Sequence, residues 1–268
     1  MIRNTLENTK AATYLIELPD ACRNGMPTAR GTGFFVSIDG WFVTAAHVIT
    51  ENGKSNGPVR QDIDQAWLTK EMIPGKAGTG MCQFVSFDIV DPETDFALLK
   101  VDFKSNSNKV HLVGRSGFPF ITVSTRDLLE GEPVYSFGYP LSETLGLTQP
   151  NIAFSHTAHS PRTTSAIVAA TMDKSEMVSW IGFPAVYVLD KALNYGNSGG
   201  PIVASETGKV HAFCSRFQPV MIPQQHLQDR LGFLPQIYVP SLYGVVSRLS
   251  NARIVDALTA RGVFVSTT

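Results

Sequence analysis

Short apolar runs, separated by glycine, proline and polar residues, are the feature that most limits how this chain folds. The runs follow one another at close intervals along the 268 residues, and few stretches show a helical period. This pattern is typical of an all-β barrel or sandwich, in which many short strands are joined by turns. The predicted strands are residues 11–18, 65–69, 82–90, 96–101, 121–124, 133–138, 151–155, 166–172, 185–189, 202–204, 209–214 and 237–239.

A hairpin and a terminal helix are the two elements that the sequence defines most closely. Asp39-Gly40 separates two runs rich in aromatic and β-branched residues, which predicts a hairpin over residues 31–44. Towards the end of the chain, Asn251 is a suitable cap and Gly262 a suitable stop for a single clear helix. Its predicted apolar stripe consists of Ile254, Val255 and Leu258.

Composition excludes several classes of function. The formal net charge is −1 with no basic run, so the sequence predicts no nucleic-acid partner. No stretch approaches the roughly 20 apolar residues of a membrane span, and the first residues lack a signal core. The odd number of widely spaced cysteines predicts free thiols in a reducing compartment. We therefore expect a cytoplasmic protein that uses no membrane, metal or other cofactor. The cysteines are Cys22, Cys82 and Cys214.

A serine among three glycines, in the stretch Leu193–Pro201, points to chemistry. Glycine tolerates positive φ and close backbone approach, so this run predicts a tight turn that exposes one hydroxyl and several backbone N–H groups. A serine hydroxyl is a poor nucleophile near pH 7 unless a base activates it and a carboxylate orients the base. A reactive Ser198 therefore requires a histidine and an acidic residue elsewhere in the chain.

Two upstream residues meet this requirement. His47 follows the predicted hairpin, and Asp95 comes directly before the apolar strand at residues 96–101. Taken alone, His47 fits a half-buried core histidine, Asp95 a turn residue or cap, and Ser198 an ordinary glycine-rich turn. Their joint occurrence, in the order His, Asp, Ser, favours a nucleophilic triad instead.

The segments around these residues resemble the chymotrypsin-fold, trypsin-like serine peptidases of the PA clan, most closely the protease domain of the bacterial, disulfide-free HtrA/Deg branch. The similarity extends from about Gly31 to about Leu258. The motifs are Gly31–Val36 and Val43–Val48 around the histidine, Thr94–Val101 around the aspartate and Gly196–Pro201 around the serine, with Asp190 and Asn194 in the lead-in.

The resemblance implies a single peptidase unit over residues 1–268, built from two packed six-stranded antiparallel β-barrels with the catalytic cleft between them. The N-terminal barrel would cover residues 10–118 and the C-terminal barrel residues 119–248. Residues 249–268 would form the C-terminal helix and tail. We expect no PDZ domain after the barrels and no activation by an Ile-Val-Gly-Gly type of start, because neither sequence is seen.

The resemblance also implies a serine endopeptidase that cleaves protein or peptide substrates through an acyl-enzyme. His47 would take the proton of Ser198, and Asp95 would hold the imidazole and stabilise its protonated form. The backbone N–H groups of Gly196 and Ser198 would bind the oxyanion. We expect regulatory control, with an activating protein partner or substrate ordering an inactive oxyanion turn. The alternative is a catalytically silent binding module with the same fold.

The expected substrate pocket lacks an acidic residue. Ala192, six positions before the serine, stands where trypsin-like relatives have the base of the primary pocket, so cleavage after Lys or Arg is not supported. Leu193 and Phe213 are expected to line this pocket, which predicts a small or medium apolar residue before the scissile bond. The edge strand expected to pair with the substrate backbone contains Cys214, Ser215 and Arg216. Arg216 would favour an acidic residue further along the substrate.

Other features have weaker functional interpretations. The serine motif also fits the Gly-x-Ser-x-Gly pattern of α/β-hydrolases, but that class requires the order Ser, Asp, His and a helix after the serine. His156 and His159 form a His-x-x-His pair in a Ser/Thr-rich stretch without a third ligand, so a solvated loop is favoured over a metal site. Inserted loops at residues 171–185 and 218–235 are expected to flank the cleft, where they would gate it or bind a partner.

Overall fold

Two large β-sheets contain most of the strands in the computed structural model, which describes residues 2–20, 26–70, 79–81, 84–102, 116–140, 143–149, 152–158, 161–172, 185–216, 219–221, 238–240 and 243–268. The elements of the first half are α1 (Ile2–Ala12), β1 (Thr13–Asp20), β2 (Met26–Phe35), β3 (Trp41–Ala45), α2 (Ala46–Ile49), a 3-10 turn (Ile63–Gln65), β4 (Trp67–Thr69), β5 (Thr79–Met81), β6 (Phe84–Asp91) and β7 (Phe96–Val101).

The second half continues the same pattern of short strands. Its elements are β8 (Val123–Ser124), β9 (Pro133–Gly138), β10 (Glu143–Gln149), β11 (Ile152–Ala158), β12 (Arg162–Met172), β13 (Val186–Leu189), β14 (Pro201–Ala204), β15 (Val210–Arg216), β16 (Pro219–Met221), β17 (Tyr238–Pro240), β18 (Gly244–Arg248), α3 (Ala252–Ala260) and β19 (Val265–Ser266).

The first sheet is antiparallel and has the strand order β5-β4-β1-β2-β3-β7-β6. The hairpin of β2 and β3 turns at Asp39-Gly40, as predicted, and Gly40 has a φ of +103°. Phe35 lies at the centre of the core, where its ring stacks on Phe118 at 4.3 Å and meets Phe42 edge-on at 4.9 Å. Strand β7 is almost wholly buried, which explains why its sequence is one continuous apolar run.

The second sheet closes into a barrel of six antiparallel strands in the order β9-β12-β13-β18-β15-β14, with β14 paired back to β9. Strands β8 and β19 extend it through parallel pairings. The prediction of an all-β fold with a C-terminal helix is confirmed. Two six-stranded barrels were expected, and the second sheet forms one. The first sheet has seven strands, and no pairing among the described residues closes it into a barrel.

One continuous core joins the two sheets. Val203 and Phe213, from β14 and β15 of the second sheet, belong to the same buried cluster as the apolar residues of β7. The ring of Phe213 meets that of Phe96 at 5.6 Å between centroids. The two sheets are therefore packed directly against each other at Phe96, the residue that follows Asp95.

Helix α3 forms as predicted, with the Asn251 side chain accepting a hydrogen bond from the N–H of Arg253. Gly262 follows the helix with a φ of +71°. Ala257, rather than Val255, completes the buried stripe with Ile254 and Leu258. No helix in the ranges described above is long and apolar enough to cross a membrane.

Helix α1 corrects the expectation that the chain has a single clear helix. Its buried face is small and includes Thr9, whose hydroxyl bonds to the carbonyl of Thr5 and to the hydroxyl of Tyr135. Because this buried face is small and partly polar, the sequence of the helix shows little apolar periodicity. The helix includes residues 11 and 12, which were predicted to begin the first strand, and that strand begins instead at Thr13.

The predicted strands at residues 151–155 and 166–172 left a gap that was too wide. Strand β11 continues to Ala158 and β12 begins at Arg162. Strand β12 keeps the alternation of a sheet with one exposed face, because Ala166 and Val168 are buried while Ile167 is exposed. Most of the two expected inserted loops, residues 173–184 and 222–235, lies outside the described residues, as do Cys22 and Cys82.

Candidate active site

Asp95 holds His47 through both of its carboxylate oxygens. Oδ1 accepts a hydrogen bond from the backbone N–H of His47 at 2.9 Å, and Oδ2 lies 2.6 Å from Nδ1 of the ring. The Asp95 side chain is only 1% exposed. Because a carboxylate is purely an acceptor, Nδ1 carries a proton, and a neutral His47 presents an unprotonated Nε2.

The backbone places these two residues side by side. Strands β3 and β7 pair so that Ala45 lies opposite Phe96, and the N–H of Ala46 donates to the carbonyl of Asp95 at 2.7 Å. Asp95 adopts a φ of +63°, unusual for a non-glycine residue, at the end of the turn that enters β7. The short helix α2 then begins, with His47 as its second residue.

Ser198 lies in a turn that is tied into β15. The N–H of Gly199 donates to the carbonyl of Cys214 at 2.6 Å, and the N–H of Cys214 returns to the carbonyl of Gly200 at 2.9 Å. Gly196 and Gly199 have φ values of +94° and +82°. Both therefore occupy the left-handed region, which other residues rarely enter.

The backbone donors on either side of Asn197 have no described partner. Among the residues that the structure describes, the N–H groups of Gly196 and Ser198 form no hydrogen bond. The neighbouring N–H of Asn197 instead donates to the carbonyl of Asn194 at 3.1 Å. Two unpaired donors next to a serine hydroxyl are what an oxyanion requires for binding.

His47 and Ser198 face the same cavity of 410 Å³. His47 is 25% exposed, so its ring is accessible from this cavity while Asp95 is not. Within the described ranges, no hydrogen bond joins the Ser198 hydroxyl to the His47 ring. Such bonds are often long in the absence of substrate and shorten when substrate binds. The lining residues are Leu15, Ala29, Arg30, Gly31, His47, Tyr139, Leu193, Asn194, Tyr195, Gly196, Ser198, Cys214 and Ser215.

The predicted pocket residues divide into two groups. Leu193, Cys214 and Ser215 line the cavity, whereas Ala192 and Phe213 do not. The Phe213 ring is fully buried against Phe96 in the core between the sheets. The backbone of Arg216 pairs with β18, and its side chain lies outside what the structure describes.

Cys214 is a free, buried thiol in the wall of the cavity. Burial, with a smaller contribution from the negative charge of Asp95, raises the pKa of the thiol to about 12. The group is therefore protonated at neutral pH and acts as a small apolar surface rather than as a nucleophile.

Several residues of the site were not assigned from the sequence. Arg30 and Tyr139 line the cavity, and Ser247 lies beneath it. The Ser247 hydroxyl is 2.8 Å from both the carbonyl of Thr94 and the hydroxyl of Ser215, so it connects β18 to the turn that carries Asp95. No local motif marks these residues, because they reach the site only through the pairing of distant strands.

The residues described here offer no metal site. They contain no group of three or more His, Cys, Asp or Glu side chains placed to hold a metal ion. His156 lies on β11 opposite Leu145 of β10, and His159 is outside the described residues.

The chain belongs to the family of trypsin-like peptidase domains. The family profile matches residues 31–212, which contain His47, Asp95 and Ser198. Fold, motif order and profile together define a trypsin-like serine peptidase class, as the sequence predicted.

In sequence, the chain is similar to HtrA proteases. Serine protease HTRA1A of Danio rerio is 30% identical over 179 residues, which are 66% of this chain and 28% of that relative. Serine protease HTRA2, mitochondrial, of Bos taurus is 27% identical over 210 residues, which are 75% of this chain and 35% of that relative. The chain thus spans about a third of the length of these relatives.

The fold is also that of a solved HtrA-type protease. The structure of HtrA-type protease AlgW with tripeptide superimposes with a TM-score of 0.57 at 17% identity, covering 98% of this chain and 65% of that one. The structure of AlgW with decapeptide gives a TM-score of 0.55 at 16% identity, over 97% of this chain and 67% of that one. At such low identity the likeness concerns the fold alone.

Proposed function

We propose that this chain is a serine endopeptidase that hydrolyses peptide bonds through His47, Asp95 and Ser198. The observation that carries the proposal is the pair of hydrogen bonds that the Asp95 carboxylate accepts from His47, with His47 and Ser198 facing one cavity. A buried aspartate fixed on both the backbone and the ring of an accessible histidine sets the tautomer that a general base needs.

The proposed reaction proceeds in two halves. Ser198 Oγ attacks the peptide carbonyl carbon while Nε2 of His47 takes the hydroxyl proton. The imidazolium, stabilised by Asp95, gives this proton to the leaving amine as the carbon–nitrogen bond breaks, which leaves an acyl-enzyme. Water, deprotonated by Nε2, then attacks the ester, and the proton returns to Ser198 as the acid product leaves.

The oxyanion of each tetrahedral intermediate would be bound by the N–H groups of Gly196 and Ser198. Their lack of a described acceptor supports this role, because each donor is available to a ligand. A single donor of this kind contributes about 10²–10³ to the rate. The positive φ of Gly196 explains why glycine is needed at this point of the turn.

The cavity favours an apolar residue on the acyl side of the scissile bond. Leu193 and the protonated thiol of Cys214 form an apolar part of the cavity wall. Ser215, the next residue after Cys214, lies on the strand expected to pair with the substrate. Peptides and proteins are the proposed substrates, in keeping with the HtrA proteases to which the chain is similar.

Regulatory control by substrate or a protein partner is proposed, and it would bring Ser198 and His47 into contact as well as order the oxyanion turn. The absence of a hydrogen bond between these two side chains within the described residues supports the first of these effects. Kinetics with peptide alone should therefore show a sigmoidal dependence of rate on peptide concentration. A strictly hyperbolic dependence, unaffected by protein substrates, would contradict this part of the proposal.

Labelling with a fluorophosphonate probe tests the central proposal. Wild type should be labelled at Ser198 and should cleave peptides with an apolar residue before the scissile bond. Ser198→Ala, which removes one oxygen, should abolish both, and its circular dichroism spectrum should match that of wild type. Absence of labelling and of hydrolysis in wild type, even with protein substrates present, would instead favour a catalytically silent binding module.

A further inference from the structure

Thr32 connects the first sheet to the turn that carries Ser198. This residue of β2 is fully buried and does not line the cavity. Its N–H donates to the carbonyl of Ser198 at 2.7 Å, and its hydroxyl donates to the carbonyl of Gly196 at 2.6 Å. One residue therefore holds the turn on both sides of Asn197.

The Thr32 hydroxyl has a fixed direction. Its oxygen accepts a hydrogen bond from the N–H of Tyr139 at 3.1 Å, so its single proton is directed to the carbonyl of Gly196. The Thr32 carbonyl accepts from the hydroxyl of Thr44 at 2.8 Å, which fixes the residue from the side of β3. Thr32, Thr44 and Tyr139 are buried, and the bond to the Gly196 carbonyl is partly buried, so a lost partner is costly here.

The peptide between Gly196 and Asn197 is consequently held at both of its polar atoms. Its carbonyl oxygen accepts from Thr32, and its N–H donates to the carbonyl of Asn194. This peptide lies between the two unpaired donors, the N–H groups of Gly196 and Ser198. The orientation of its plane sets ψ of Gly196 and φ of Asn197, the two dihedral angles that relate this peptide to the two peptides carrying those N–H groups.

We propose that Thr32 is a positioning residue of the oxyanion turn. Its hydroxyl fixes the Gly196–Asn197 peptide, and thereby the arrangement of the two N–H groups that bind the oxyanion. It acts through Gly196 and makes no contact with substrate. Because Thr32 belongs to the first sheet and the turn to the second, the oxyanion site is complete only when the two sheets are packed together. The inference rests on the proposed peptidase function.

Two variants separate the hydroxyl from the rest of the side chain. Thr32→Val removes the hydroxyl and keeps both backbone contacts and nearly the same shape. Thr32→Ser keeps the hydroxyl and is the matched control. With active sites counted by fluorophosphonate labelling, Thr32→Val should lower kcat about 10- to 100-fold, a fraction of what a lost oxyanion donor costs. KM should change less than about threefold, and Thr32→Ser should retain kcat within about threefold.

A peptide aldehyde gives a readout that a merely structural role would not change. The adduct of the aldehyde with Ser198 carries an oxyanion. Thr32→Val should therefore raise the inhibition constant of the aldehyde by the same factor by which it lowers kcat. Binding of the uncleaved peptide to the double variant with Ser198→Ala should stay unchanged. An unaltered kcat per labelled site, or an effect on KM alone, would overturn the inference.

A crystal structure of Thr32→Val decides the matter independently of activity. In Thr32→Val the Gly196 carbonyl should change its orientation or become disordered. In Thr32→Ser it should keep the orientation that it has in the wild type. If wild type shows no Ser198-dependent hydrolysis, the proposed function fails while this structural test still applies. A Gly196–Asn197 peptide with unchanged orientation in Thr32→Val would refute the role of Thr32.

Discussion

At the scale of single residues, the hydrogen bond between Asp95 and His47 gives the sharpest test of the chemistry. Asp95→Asn keeps the size of the side chain and replaces one acceptor by a donor. The histidine is then held in the wrong tautomer, and kcat should fall by about 10⁴ with the fold intact. Peptide hydrolysis and the melting temperature measure the two effects. A loss smaller than about tenfold would mean that Asp95 does not orient the base.

Leu193 is the residue expected to set substrate preference at this scale. Its side chain is buried and forms apolar wall of the cavity, so Leu193→Ala should enlarge the pocket. The ratio of kcat/KM for a peptide with Phe before the scissile bond to that for one with Val should rise about tenfold, within the range that hydrophobic pockets discriminate. Hydrolysis of both peptides by the wild type gives the reference ratio. An unchanged ratio would place Leu193 outside the specificity pocket.

At the scale of elements, the turn around Ser198 depends on glycine for more than one reason. A Cβ on Gly199 would lie 2.1 Å from the carbonyl oxygen of Thr32 and 2.2 Å from Oγ1 of Thr44, and its φ is +82°. Gly131 has nearly the same φ, +84°, with nothing within 4 Å of a Cβ. Gly131→Ala should cost about 1–2 kcal/mol of unfolding free energy from backbone strain alone.

Gly199→Ala should cost clearly more than this control, about 3 kcal/mol or above, because the added methyl meets backbone and buried side-chain atoms. Urea unfolding of the two variants measures the difference. Equal losses would show that the turn relaxes away from β2 at little cost. In that case the activity of Gly199→Ala should still fall, since the turn would have moved.

Among the elements, some were predictable from the sequence and others were not. Strand β7 was predicted with its observed bounds because both of its faces are buried and every position but one is apolar. Strand β18, Gly244–Arg248, was missed because its short, mixed sequence is buried through pairing with distant strands rather than through its own pattern. The triad residues were found because each lies in a local signature. Thr32 also lies in such a motif, Gly31–Val36, but its role could not be predicted because its contact with Gly196 spans 164 positions.

At the scale of the whole molecule, a buried histidine outside the site links stability to pH. His211 of β15 is 1% exposed, and its Nδ1 lies 2.8 Å from the carbonyl of Arg126, so this nitrogen carries the proton. Within the described residues, its Nε2 is buried without a hydrogen-bond partner. Burial lowers the pKa of His211 below 6.5, its ordinary value, and the positive charge of Arg126 adds to this effect.

The sign of the resulting pH dependence follows from linkage. When the folded pKa lies below the unfolded pKa, the unfolded chain takes up the proton first as the pH falls. The neutral histidine therefore contributes its full stability above about pH 6.5, and this contribution is lost progressively on acidification, by at most about 1.4 kcal/mol per pH unit for one proton. The carboxyl groups with lowered pKa values, Asp39, Asp62 and Glu132, add to the loss only at lower pH.

His211→Gln should remove this pH dependence, because its amide N–H retains a donor for the carbonyl of Arg126 and does not titrate. Urea unfolding at pH 7.5 and pH 5.5 should show wild type losing more stability than the variant between the two values. Ser198→Ala, a substitution that leaves His211 in place, is measured under the same conditions as a control for the effect of mutation itself and should follow wild type. Parallel losses in wild type and His211→Gln would assign the acid sensitivity of this fold to its carboxylates instead.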